Sequence, residues 1–129
     1  MSRGGGRSRP RVDRYTDLLV WQKSMDLADA IYDFTASFPK TETFGLASQL
    51  RRAAVSIPSN VAEGWGRGRT KEYVQFLRYA RGSLYEVETQ VRIAGRQGYV
   101  EPERVEGLLV STSEISRMLA GLAKALHQP

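Results

Sequence analysis

The single histidine, His127, stands two residues from the end of the 129-residue sequence, and no cysteine accompanies it. A nucleophile paired with a base, or a zinc site, needs a second such group. Glu86 and Glu88 lie two apart, so on a helix they diverge and cannot flank one bond. Asp26, Asp29 and Asp33 share a helical face where a divalent cation would be held weakly. The run Gly64-Trp65-Gly66-Arg67-Gly68-Arg69 is rich in glycine and arginine. It lacks the Lys-Ser/Thr ending and the preceding strand of a phosphate-binding loop. These residues predict a protein that is not an enzyme and needs no cofactor or metal.

The same stretch is the best candidate for nucleic-acid contact. Arg51, Arg52, Arg67, Arg69, Lys71, Arg78, Arg81, Arg92 and Arg96 outnumber the acidic residues around them. Arg67, Arg69 and Lys71 gather near Trp65, and flexible Gly-Arg repeats beside an aromatic suit phosphate contact and base stacking. A solvated loop with charged ends is the competing reading, and Arg51 and Arg52 serve equally well in ion pairs between helices or subunits.

The net charge is +5, but it is unevenly spread. In residues 1–14, Arg3, Arg7, Arg9, Arg11 and Arg14 face only Asp13, which leaves the body of the chain close to neutral. We expect residues 1–14 to be a disordered basic tail, either a solubilising arm or an arm that lies along phosphate. Residues 15–129 are then one domain, enough for a single core. No apolar run reaches the roughly 18 residues of a membrane span, and no secretory leader is evident. The absence of cysteine suits a reducing cytoplasm.

The elements that must carry these residues are helical. From Asp17 onward apolar residues recur about every 3.6 positions, with no sustained alternation. The spacing predicts helices over about Asp17–Phe38, Thr43–Gly66 with Thr43 as N-cap, from after a cap-like Thr70 to about Gly98, and from Glu101-Pro102 onward, each of about 22 to 28 residues. Pro58 either kinks the second helix or breaks it; the apolar phase Leu46, Leu50, Ala54, Ile57, Val61 persists across it and favours one kinked helix. Short connections predict an all-α, antiparallel up-down four-helix bundle.

The first helix carries more apolar surface than one bundle core needs. Val20, Leu27, Ile31, Phe34 and Phe38 make one face, while Leu18, Trp21, Met25, Ala28 and Tyr32 make another. The second face predicts a homo-oligomer, unless the two merge into one broad buried arc. Between them runs the acidic stripe Gln22, Asp26, Asp29, Asp33. The third helix carries Arg78, Arg81, Tyr85, Glu88, Arg92 and Arg96 opposite its core face. A head-to-tail contact between the two stripes would close a ring.

Three segments then resemble a known family. They are Leu19-Val20-Trp21-Gln22-Lys23, Phe44-Gly45-Leu46-Ala47-Ser48-Gln49-Leu50-Arg51-Arg52-Ala53-Ala54, and Ser56-Ile57-Pro58-Ser59-Asn60-Val61-Ala62-Glu63-Gly64. Phe76-Leu77, Ala80-Arg81-Gly82-Ser83-Leu84 and Glu86 continue the likeness. Over about residues 17–126 the chain resembles the four helix bundle proteins, also called 23S ribosomal RNA intervening-sequence proteins. The resemblance implies an antiparallel bundle, a homopentameric ring and no established enzymatic activity. A distantly similar branch, the accessory variability proteins of diversity-generating retroelements, binds a reverse transcriptase and nucleic acid. RNA or DNA is therefore an implied partner, and a protein scaffold that never touches nucleic acid is the alternative.

Overall fold

The computed structural model describes residues 11–127; the tail reading for residues 1–10 lies outside them. Four helices follow one another, α1 Leu19–Thr35, α2 Leu46–Gly66, α3 Thr70–Arg96 and α4 Pro102–His127, and no strand occurs among the described residues. Each helix packs on its neighbours in sequence, α4 closes back on α1, and the diagonal pairs stay apart. Ile31, Phe34, Leu50, Ile57, Leu84, Val91, Ile115 and Leu119 fill the space between them almost without exposure.

Contacts between helices have an ordered register. Along α2 and α3, Gly64 meets Phe76, Ser56 meets Ser83 at 2.8 Å, and Gln49 meets Gln90 at 3.3 Å. As numbers fall along α2 they rise along α3. The same opposition links Thr35 with Arg51 and Tyr15 with Trp65, and Glu88 with Thr112 and Gly95 with Val105.

Helix ends differ from the expected ones where local capping chemistry intervenes. The first helix starts at Leu19 rather than Asp17, because the Asp17 carboxylate turns back to accept the Asp13 and Arg14 N–H groups at 3.0 and 3.1 Å. That closes a 3-10 turn over Tyr15–Asp17 and leaves Leu18 extended. It also stops at Thr35, so α1 has 17 residues, fewer than expected. Thr43 is not the cap of α2. The helix begins at Leu46, whose N–H donates to the Glu42 carboxylate at 3.0 Å. Thr70 lies inside α3, after Arg69. Proline at the first position of α4 stands where its missing N–H costs nothing.

Pro58 does not break α2, which runs continuously through it. Its ring is buried, and on the following turn Ser59 and Asn60 donate to the Val55 and Ser56 carbonyls at 2.9 and 2.8 Å. α3 ends in a Schellman turn: Tyr99 N–H donates to Ala94 O and Gly98 N–H to Gly95 O, with Gly98 at φ 75°. This turn carries the Tyr99 hydroxyl to the second Glu42 oxygen at 2.9 Å.

The Leu46 amide, and after it the Tyr99 hydroxyl, hold the Glu42 carboxyl below its ordinary value of 4.5. A depressed folded-state value means stability that is present above the unfolded value and lost as pH falls through the folded one. Thermal unfolding should therefore separate the native chain from Glu42→Gln at neutral pH. The gap in Tm should narrow as pH falls below 4.5 and through the lowered folded-state value. A gap that does not narrow anywhere in the acid range would remove this role for the carboxylate.

Candidate nucleic-acid interface

On α3 the side chains that face other helices are accounted for by contact. Phe76, Ser83 and Gln90 meet α2, while Glu88 and Gly95 meet α4. At 100° per residue, Arg78, Arg81, Tyr85, Arg92 and Arg96 share the remaining outward side, and all are exposed. Arg78 to Arg96 spans about 27 Å at 1.5 Å per residue. None of these four arginines takes part in the ion pairs found among the described residues. Arg81 donates from Nε to the Tyr85 hydroxyl at 3.1 Å, with its guanidinium 5.9 Å from the ring centroid. The ring remains 47 % exposed.

Glu88, counted in this stripe from the sequence, turns away from it. Its carboxylate accepts the hydroxyl proton of buried Thr112 at 2.7 Å. The outward row is therefore more uniformly cationic than helical spacing alone suggested. Threonine among leucines on α4 gave only a faint signal for this contact.

The other predicted basic residues are divided among different surroundings. Arg67 pairs with Glu63 at 2.9 Å and lies over the Phe76 ring at 4.8 Å. Arg69 approaches Glu72 at 3.9 Å. Lys71 is exposed and lines a hollow with Val74, Arg78, Leu126 and His127. Arg51 belongs elsewhere: half-buried at the α1–α2 seam, it donates to Thr35 Oγ1 at 2.7 Å and stacks on Tyr32 at 4.8 Å. Its Nε–H and its flat face are thus engaged between helices, the alternative that its position in the sequence had left open. Arg52 is exposed and donates to Ser48. Trp65 is half-buried, 6.5 Å from Tyr15, and is not a free stacking platform.

The second apolar face of α1 is divided too. Ala28 is buried, Leu18 and Trp21 are half-buried against the core, and Tyr15 covers the Trp21 ring edge-on at 5.4 Å. These residues partly merge into the fold of their own chain. Met25 and Tyr32 stay 40 % and 48 % exposed, beside Val55 at 43 %. In the acidic stripe, Asp33 accepts from Arg104 at 3.0 Å, while Asp26 and Asp29 are exposed. Among the described residues no three acidic or imidazole side chains converge in a way that would hold a metal ion. No helix there is long and apolar enough to cross a membrane.

Four helices in this order, with this row on the third, place the chain among small all-helical proteins. Residues 16–121 match the family model of the 23S rRNA-intervening sequence proteins, and the chain belongs to that family. A crystal structure from the S23 ribosomal protein family of Bacteroides thetaiotaomicron, itself of unknown function, has a similar fold with a TM-score of 0.74. It is 24 % identical and the match covers 82 % of this chain and 99 % of that one. No protein of curated function matches the chain.

Proposed function

We propose that the chain is a non-enzymatic, cytoplasmic, homo-oligomeric protein that binds RNA or DNA, as an accessory to a nucleic-acid enzyme. Its protomer is an antiparallel up-down four-helix bundle, supported by the opposing order of paired positions between adjacent helices. Its assembly is a ring, of five copies by family resemblance, supported by the apolar surface left at Met25, Tyr32 and Val55.

One observation carries the nucleic-acid reading: Arg78, Arg81, Arg92 and Arg96 line one exposed side of α3 around Tyr85, without a carboxylate partner among the described residues. Phosphate is the anion that such a row matches, and an aromatic within it offers a π-face to an unpaired base. A ring repeats the row on every copy, so weak contacts add through multivalency.

The test is titration of labelled single-stranded RNA at about 50 and 200 mM salt, where each neutralised phosphate contributes a log–log slope of about −0.7. Four arginines predict a slope of roughly −3. A parallel sample with Arg3, Arg7, Arg9, Arg11 and Arg14 changed to serine removes the tail's contribution. Absent or salt-independent binding at micromolar protein overturns this reading in favour of a protein scaffold.

A further inference from the structure

Phe44 is 95 % exposed, although the turn that carries it is closely pinned. Thr43 N–H donates to Lys40 O at 3.1 Å and Gly45 N–H to Glu42 O at 3.0 Å. The Glu42 carboxylate then ties the turn to Leu46 N–H and to the Tyr99 hydroxyl. A Cβ at position 45 would stand 2.7 Å from Glu42 Oε1, so glycine is the residue that leaves this contact intact. A phenyl held in water by a network of this kind is placed to enter another surface.

We propose that Phe44 is an anchor that inserts into the α1–α2 groove of a second copy of this chain. That groove is walled by Trp21, Met25 and Tyr32 from α1 and by Val55 and Pro58 from α2. Asp29 lies on its rim, without an ion pair among the described residues. Phe44's own turn carries Lys40, also without one, and Arg52 follows on α2. Apolar meets apolar and cation meets carboxylate. A second apolar hollow, beside Val74 and Leu126, is bordered by Lys71 and Arg78 as well as Glu72, and so matches the cations near Phe44 less well than Asp29 does. The groove between Gln49, Ser56, Ser83 and Glu86 has polar walls.

The occupant is a second copy because the ring cannot serve its own groove. Leu46 to Pro58 covers about 18 Å of helix, which separates the turn from the groove's centre. Anchor and groove are different patches, so each contact leaves one of each free until a ring or a reciprocal pair closes. The inference rests on the homo-oligomeric reading and names the contact that makes it.

Sedimentation velocity of the full chain at micromolar concentration tests it, with Phe44→Ser and Met25→Glu beside the native protein. The native chain should assemble, and each variant should fall to single copies with helical circular dichroism intact. Mixed in equal amounts, the two variants should form a heterodimer. The Met25→Glu copy keeps the phenyl and the Phe44→Ser copy keeps the groove. Phe44→Tyr should assemble as the native chain does, and Val55→Glu repeats the groove test if Met25→Glu loses helix. An assembled Phe44→Ser protein, or a mixture that stays as single copies, overturns the anchor while the oligomeric reading stands. A native chain that sediments as single copies overturns both.

Discussion

Changing Arg78, Arg81, Arg92 and Arg96 together to serine is expected to weaken RNA binding by several-hundred-fold, on the order of 600-fold at 0.1 M salt, from four phosphate contacts of slope about −0.7 each. The salt dependence should flatten by the same roughly three units, which separates lost phosphate contacts from a folding defect. All four side chains are exposed and none is in an ion pair among the described residues, so unfolding curves should change little. Arg117→Ser with Lys124→Ser is the control, because both are exposed and lie on α4. The double variant lowers net charge without touching the row and should keep the native slope. A quadruple variant that keeps that slope removes α3 from the interface.

The largest stability effect is expected at Gly64, where α2 passes tightly against Tyr73 and Phe76 of α3. A Cβ there would lie 2.7 Å from Phe76 Cβ, 3.1 Å from Tyr73 Cδ1 and 3.3 Å from the Tyr73 carbonyl oxygen. The first of these is anchored to the α3 backbone and the last belongs to it, so the helices must separate. Gly64→Val should cost about 3 kcal/mol or more in chemical denaturation. Gly64→Ala should cost about 1 kcal/mol, since helix propensity returns part of the strain. Gly82, inside α3 with nothing within 4 Å, is predicted to respond with the opposite sign. Gly82→Ala should stabilise by about 0.5 to 1 kcal/mol. Equal responses at the two positions would show that helix propensity decides both, and that the close α2–α3 approach decides neither.

The four helices were legible because each core face repeats at helical spacing over many residues. Leu50, Ala54, Ile57 and Val61 are all buried as that spacing requires. Pro58 was legible as tolerated, since the buried phase continues on both sides of it. Helix starts were less so. Thr43 has good capping chemistry, yet Glu42 caps α2 because Tyr99, far away in sequence, steadies its second oxygen. Asp17 was placed in the first helix, although its carboxylate does more by closing the turn ahead of it.

By itself the amino-acid order determined what is periodic in this protein: four helices, a core stripe on each, a cationic row on the third and apolar excess on the first. Periodicity needs only the geometry of one helix, so local sequence suffices. Tertiary structure decided which charged groups remain free. Glu88 bonds Thr112, Asp33 bonds Arg104 and Arg51 bonds Thr35, each through a partner on another helix. It also decided that Phe44 points outward while Trp21 is half-covered. The physical reason is that hydrogen bonds and ring contacts act over a few ångströms. Only packing brings residues so distant in sequence within that range.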